Sequence, residues 1–341
     1  MIYSLVRKAL FAVDPETAHE LTLEALKLGH WSGATRLVCK NRKQPVQCMG
    51  LEFPNPVGVA PGLDKNADCF EALGDLGFGF VEVGTVTPRA QPGNPKPRVF
   101  RLTEAQAMIN RLGFNNKGVD YLVSKVKKHR FRGVLGINIG KNFDTPNENA
   151  ADDYLHCLEK VYPYADYVTV NISSPNTKNL RDLQGEDELD ALLGALAARR
   201  EELADQYDRL APMALKVAPD LENDAIPVIA EVVSRHGMDA VIATNTTIGR
   251  EMVSGMKHAE ETGGLSGAPL KEKADQTLGL LREALPAEID MIGVGGITRG
   301  QDAVDKLKLG ANLVQFYTGM VYRGPDLVNE CLESIAAYRK A

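Results

Sequence analysis

The 341-residue chain is 44% hydrophobic and 25% charged, which excludes disorder, collagen-like repeats and small disulfide scaffolds and is long enough for one large core or two modest ones. Lys plus Arg number 39 and Asp plus Glu 45, a net charge of -6, and no run of one sign is long enough to track a phosphate backbone, so nucleic acid is not an expected partner. The five cysteines (Cys39, Cys48, Cys69, Cys157, Cys331) are scattered without C-x-x-C or metal-ligand spacing, which fits a reducing cytoplasm and no bound metal.

At the N-terminus Ile2, Leu5, Val6, Ala9, Leu10 and Val13 recur at helical spacing. Asp14-Pro15-Glu16 then supplies an N-cap, a first-turn proline and a first-turn acid, predicting a second helix from Pro15 to Leu28 that stops at Gly29. Basic residues inside the apolar stretch and the lack of a small-residue cleavage site argue against a signal peptide, and no window approaches the roughly 20 apolar residues of a membrane span. The two helices either pack on the main domain or form a hairpin for a membrane surface or an apolar ligand. Arg7 and Lys8 beside the apolar stripe lean toward the second.

Between Val57 and Phe316 short apolar runs alternate with helical patterns. The runs are Val57 to Ala60, Phe80 to Gly84, Val134 to Ile139, Tyr167 to Ile172, Met213 to Val217, Ala240 to Thr244, Met291 to Val294 and Leu313 to Phe316. Helical stretches include Lys117 to Lys128, Glu186 to Gln206, Asp224 to His236, Leu270 to Leu285, Gln301 to Leu309 and Pro325 to Tyr338. Strands separated by helices pair in parallel, and eight such units predict a (β/α)8 TIM barrel with an N-terminal helical extension. Val46 to Phe53 reads as a hairpin covering one end of the barrel. Thr85 to Phe114 and Ser173 to Gly185 read as long functional loops.

Chemistry in such a barrel sits at the carboxyl ends of the strands. There the sequence places Ala60-Pro61-Gly62-Leu63-Asp64-Lys65, Thr85, Asn138, Asn171, Lys216 and Thr244-Asn245-Thr246. Asn and Lys are depleted in strands and costly to bury unpartnered, so a ligand is their economical partner. Any one Asn is readily explained by loop backbone. A set drawn from three strand ends, with Asn110 and Asn176 in the two long loops, instead suits a planar ligand of alternating carbonyl and N–H groups. Gly293-Val294-Gly295-Gly296-Ile297 and Tyr317-Thr318-Gly319 follow the last two strands, where barrels of this kind hold a phosphate. With no G-x-G-x-x-G after a strand, a Rossmann nicotinamide site is not expected. A phosphate-bearing flavin mononucleotide (FMN) or pyridoxal phosphate remains, with the flavin preferred because no Asp or Arg stands out to pair a pyridine nitrogen.

Pro61 to Lys65, Asn110-Arg111-Leu112-Gly113-Phe114 and Asn171-Ile172-Ser173-Ser174-Pro175-Asn176-Thr177, together with Gly263-Gly264-Leu265-Ser266-Gly267 and the last two glycine turns, resemble the class 2 dihydroorotate dehydrogenases over essentially the whole chain. That resemblance implies an FMN enzyme that oxidises dihydroorotate to orotate in pyrimidine biosynthesis and passes the electrons to membrane quinone. It assigns FMN contacts to Ala60, Pro61, Gly62, Leu63, Asp64, Lys65, Thr85, Asn138, Asn171, Lys216, Thr244, Gly267, Gly296, Tyr317 and Thr318. It assigns dihydroorotate contacts to Lys65, Asn110, Arg111, Leu112, Gly113, Phe114, Asn171, Asn176, Asn245 and Thr246. Ser174 matches the catalytic base, where class 1 relatives carry cysteine and also lack the helical extension. His19, Arg101 and Tyr317 match positions of the quinone channel. Thr318 stands where many relatives have serine, keeping the hydroxyl.

On this basis residues 1–40 are expected to form a hairpin on the membrane and quinone side, and residues 41–341 the FMN-binding barrel. The chain is expected as a peripheral monomer on the cytoplasmic face of the inner membrane. None of the six histidines is near Ser174 in sequence, so the proton it accepts is expected to pass to water or to Thr177. Lys216 is expected beside the flavin N1 and O2, and Lys65 against the substrate. Removing residues 1–40 is expected to spare flavin reduction by dihydroorotate while impairing quinone turnover.

Overall fold

The computed structural model describes residues 2–37 and 43–340, so Cys39 and the expected boundary between residues 40 and 41 lie outside the described residues. The chain starts with α1 (Ile2–Phe11) and α2 (Pro15–Ser32), makes a hairpin of β1 (Val46–Cys48) and β2 (Leu51–Phe53), and continues through β3 (Val57–Val59), α3 (Phe70–Asp75) and β4 (Phe80–Val86). A long excursion carrying β5 (Val99–Leu102) and β6 (Ala107–Asn110) precedes α4 (Val119–Val126), β7 (Val134–Ile139), α5 (Ala150–Val161), β8 (Tyr167–Asn171), α6 (Glu186–Tyr207), β9 (Met213–Val217), α7 (Ala225–Arg235) and β10 (Ala240–Ala243). After β11 (Gly264–Gly267) come α8 (Lys271–Ala284), β12 (Asp290–Val294), α9 (Gly300–Lys308), β13 (Leu313–Phe316), α10 (Thr318–Arg323) and α11 (Asp326–Tyr338).

The parallel strands β3-β4-β7-β8-β9-β10-β12-β13 close into a barrel, and they are the eight runs expected from the sequence. Strand alternation sorts the side chains into two cores. Val81, Val83, Ile137, Val168 and Leu215 face outward into a layer shared with the helices, whereas Phe80, Tyr167, Ala214, Ile242, Ile292 and Leu313 fill the interior. Large and small residues interlock there: a Cβ on Gly58 would lie 2.4 Å from the Phe80 ring, and one on Gly136 2.2 Å from the Tyr167 ring. The β1–β2 hairpin turns through Met49 (φ 52°) and Gly50 (φ 70°) and plugs the base of the barrel with Phe53, whose ring meets Phe80 edge-on at 5.2 Å. Opposite the plug, β5, β6 and β11 form an antiparallel sheet. The excursion after β4 is therefore a structured cover pinned by a strand that follows β10, rather than a plain loop.

The N-terminal helices form as expected except at one end. Asp14 caps α2 by accepting the N–H groups of Glu16 and Thr17 at 3.1 and 3.0 Å. The helix runs through Gly29 and stops at Gly33, whose φ of 77° lets its N–H close on His30 O. Gly29 answers to packing instead, since a Cβ there would meet Thr35 Cγ2 at 2.9 Å. Tyr3 and Arg7 tie α1 to the barrel through the carbonyls of Val321 and Tyr322 (2.7 and 2.6 Å), so the Arg7 guanidinium is engaged with the barrel. Leu5, Val6, Leu21, Leu28 and Trp31 are exposed, Trp31 by 88%. Among the described residues no helix is long and apolar enough to cross a membrane.

Candidate active site

A cleft of about 1140 Å3, counting its open mouth, lies at the carboxyl ends of the barrel strands. Of the residues expected there, Ala60, Pro61, Gly62, Lys65, Thr85, Asn110, Leu112, Gly113, Phe114, Asn171, Ser174, Asn176, Lys216, Thr244, Asn245, Thr246, Gly267, Gly296, Tyr317 and Thr318 line this one space. Leu63, Asp64, Asn138 and Arg111 do not. The Asp64 carboxylate accepts the N–H groups of Asp68 and Cys69 (2.9 and 2.7 Å) and so shapes the turn after β3. The Arg111 side chain pairs with Glu261 at 2.7 Å and stacks over Phe100. Val99, Met108 and Ser266 also line the cleft; they lie within the Thr85–Phe114 loop and the Gly263–Gly267 stretch, but none was singled out as a contact.

Asn138 is fully buried one layer below, where it transmits the polarity of the site. Glu82 projects inside the barrel and accepts from Asn138 Nδ2 (2.8 Å), Tyr167 OH (2.9 Å) and Gln315 Nε2 (2.7 Å). A carboxylate only accepts, so the Asn138 amide must turn its nitrogen down and its Oδ1 up. That Oδ1 takes the Thr85 hydroxyl at 2.5 Å and Asn171 Nδ2 at 3.1 Å. Asn171 Nδ2 also donates to Thr85 Oγ1 (2.9 Å), which leaves Asn171 Oδ1 to accept from the Ser173 hydroxyl (3.1 Å). Asn245 Nδ2 then donates to Ser173 Oγ (3.0 Å), and Asn245 Oδ1 accepts Thr246 N–H (2.8 Å). One interior acid thus orders the amides that face the cleft. Its sequence signal was a lone carboxylate in the otherwise apolar run Phe80-Val81-Glu82-Val83.

Two ammonium groups line the cleft wall, Lys216 buried and Lys65 half-buried. Burial pushes Lys65 down to about 8, with Arg98 lowering it further and Glu16 and Asp64 opposing. Its Nζ donates to Gly62 O at 3.0 Å. Burial likewise lowers Lys216, with Glu82 opposing. Such groups gain from an anionic partner. Ser174 Oγ is buried and accepts Asn176 N–H at 3.3 Å. Nearby Asn176 Oδ1 and Thr177 Oγ1 are buried without a hydrogen-bond partner.

A second cavity, about 2250 Å3 with its mouth, opens between the N-terminal helices and the barrel. His19, Arg101 and Tyr317 line it with apolar side chains that include Leu10, Phe11, Leu23, Leu26 and Met320. Burial and the nearby Lys65 push His19 down to about 3, against the pull of Glu16, so the imidazole is neutral at pH 7. Arg101 sits 4.6 Å from the Phe11 ring centroid and donates to Val13 O at 2.9 Å. Lys65, Val99, Met108, Leu112 and Tyr317 line both cavities and form the wall between them.

A family model described as dihydroorotate dehydrogenase matches residues 44–338. The chain belongs to the dihydroorotate dehydrogenase family. A Bordetella parapertussis protein named dihydroorotate dehydrogenase (quinone) is 59% identical over 338 residues, 98% of this chain and 97% of that one. One of the same name from Azotobacter vinelandii is 56% identical over 339 residues, 99% of this chain and 98% of that one. A crystal structure of Eimeria tenella DHODH in complex with ferulenol matches with a TM-score of 0.87 at 36% identity, covering 96% of this chain and 92% of that one. Enzymes of the dihydroorotate dehydrogenase family are flavoproteins, and the residues here fit such a group. The turns at Gly267, Gly295 and Gly296 run at φ of 97°, 102° and 77° and bring bare backbone to the cleft, as a phosphate requires. A Cβ on Gly296 would lie 2.3 Å from Lys271 Cα. The ordered amides and the unpartnered Asn176 Oδ1 suit flat ligands carrying both donors and acceptors.

Proposed function

We propose that this chain oxidises (S)-dihydroorotate to orotate with FMN as its flavin and membrane quinone as electron acceptor, a step of pyrimidine (UMP) biosynthesis. The reading is carried by one observation: a cleft with two lysine ammonium groups, ordered amides and glycine turns shares a five-residue wall with a largely apolar cavity. FMN would be held by Ala60 to Gly62, Thr85, Asn171, Lys216, Thr244, Gly267, Gly296, Tyr317 and Thr318, its phosphate against the glycine turns. When bound, it supplies the acceptor for the hydride leaving the substrate and a donor of electrons to quinone.

The remaining work falls to side chains. Lys65 takes the substrate carboxylate, and Asn110, Leu112 to Phe114, Asn176, Asn245 and Thr246 fix the ring so that the bond to be broken faces Ser174. Ser174 Oγ accepts the proton lost from carbon five as its own hydroxyl proton passes on to water, directly or by way of the Thr177 hydroxyl, which is buried and has no other hydrogen-bond partner. Lys216 steadies negative charge that develops on the cofactor ring. In the second cavity neutral His19, with Arg101 and Tyr317, offers hydrogen bonds to the quinone oxygens.

The exposed apolar side chains of α1 and α2 support residues 1–40 as a peripheral contact with the cytoplasmic face of the inner membrane, reached by a monomer, and the barrel from residue 41 onward as the catalytic unit. An anaerobic titration tests the reading. Dihydroorotate should bleach the flavin bands of the purified protein and a short-chain quinone should restore them. A purified protein without flavin, or flavin that dihydroorotate leaves oxidised, would overturn it.

A further inference from the structure

The N-terminal helices do more than roof the second cavity, because α2 reaches the substrate cleft through one ion pair. Glu16, in the first turn of α2, and Arg98, just before β5, are both buried. Their contact is forked: Arg98 Nη2 lies 2.6 Å from Glu16 Oε1, and Nε lies 3.2 and 3.1 Å from the two carboxylate oxygens. The other arm, Nη1, donates to Pro92 O (2.6 Å) and Asn94 O (2.8 Å). A planar guanidinium fixed on three sides sets the positions of all its partners at once.

Those partners carry the substrate side of the cleft. Asn94 N–H donates to Leu112 O at 3.1 Å, and its side chain donates to Arg111 O (2.9 Å) and Asn176 O (3.3 Å). Arg111 N–H returns to Arg98 O at 2.9 Å. A Cβ on Gly113 would lie 2.9 Å from the Asn94 amide, so this stretch has no slack. Lys96 is the other cation against Glu16 (3.5 Å) and also approaches Glu20 (3.9 Å), while Lys65, His19 and Tyr317 feel the Glu16 charge from the cavity side.

We infer that Glu16 is a positioning residue for the dihydroorotate site: through Arg98 it holds the Pro92–Asn94 turn, and with it Leu112, Gly113 and Asn176, in the geometry that grips the substrate. The inference rests on the dihydroorotate reading above and revises one expectation from the sequence. Removing residues 1–40 deletes Glu16, so it weakens the dihydroorotate half-reaction as well as the quinone half-reaction.

The test uses the full-length flavoprotein without quinone. Orotate is titrated into the oxidised enzyme and followed by the change in flavin absorbance, and flavin reduction by dihydroorotate is timed by stopped flow. Glu16→Gln should weaken orotate binding about tenfold, the scale of one lost charge-assisted contact. Arg98→Lys, which keeps the charge but cannot span carboxylate and two carbonyls, should weaken it comparably. The double variant Glu16→Gln/Arg98→Lys should bind no worse than the weaker single, because both act through one joint. Variants that keep flavin and bind orotate as the unsubstituted enzyme does would overturn the inference, even if their thermal stability falls. An unsubstituted enzyme with no orotate response would overturn the dihydroorotate reading, and this inference with it.

Discussion

In the proposed site Lys65 should make the affinity for the product depend on pH in a range where ordinary lysines are silent. Burial sets the free ammonium at about 8, and only the charged form pairs with a carboxylate. The apparent dissociation constant therefore scales as one plus the ratio of neutral to charged lysine, and raising the pH from 7 to 9 weakens orotate about tenfold. An unperturbed lysine would change almost nothing until about pH 10.4. Orotate titrated into the oxidised enzyme at fixed ionic strength measures this without interference from Ser174, since no proton leaves carbon five in product binding. Lys65→Met should bind weakly and show no such slope. A wild-type affinity that is flat from pH 7 to 9 would refute the assignment of Lys65 to the carboxylate. The sign of the stability effect is opposite. Unfolding lets Lys65 hold its proton up to its ordinary 10.5, so the ligand-free fold bears a cost below pH 8 that fades as the pH rises toward 10.5, at most about 3 kcal/mol.

Other substitutions separate the remaining roles. Ser174→Ala should keep its flavin but slow reduction by dihydroorotate by roughly 10²–10⁴-fold, the usual span for a positioned base, with a smaller loss in Thr177→Val; stopped-flow reduction at the wild-type rate in Ser174→Ala would end the base assignment. Lys216→Met removes the ammonium that feels the Glu82 charge and should lower flavin retention on dilution and slow reduction by at least about tenfold, whereas unchanged values for both would remove Lys216 from the cofactor site. Leu28→Ser/Trp31→Ser strips two exposed apolar groups from α2 and should cut sedimentation with phospholipid vesicles by at least about tenfold, leaving orotate binding untouched. Equal partitioning of variant and wild type would refute the membrane face.

The barrel was legible because each parallel strand is buried on both sides and so writes an uninterrupted apolar run, punctuated by the polar residues of the site. Asn171, Lys216 and Asn245 stood out for that reason. The β5–β6–β11 cover did not: its strands are four residues long, two of its positions are glycines, and β11 pairs with a partner more than 150 residues away. Gly29 misled because a glycine required by a neighbour's methyl looks, in one dimension, like a glycine required by a turn. The Glu16–Arg98 fork was hidden likewise. Glu16 reads as a first-turn acid serving the helix dipole, and nothing local indicates that its partner lies 82 positions on.

The five side chains that form both the inner face of one chamber and the outer face of the other would give the proposed enzyme two separate doorways to a single redox group. On the proposed reading a water-borne acid arrives by one and a lipid-borne oxidant by the other, so neither has to leave for the other to enter. A molecule lodged in the oily entrance should therefore slow turnover without displacing the acid from its own berth.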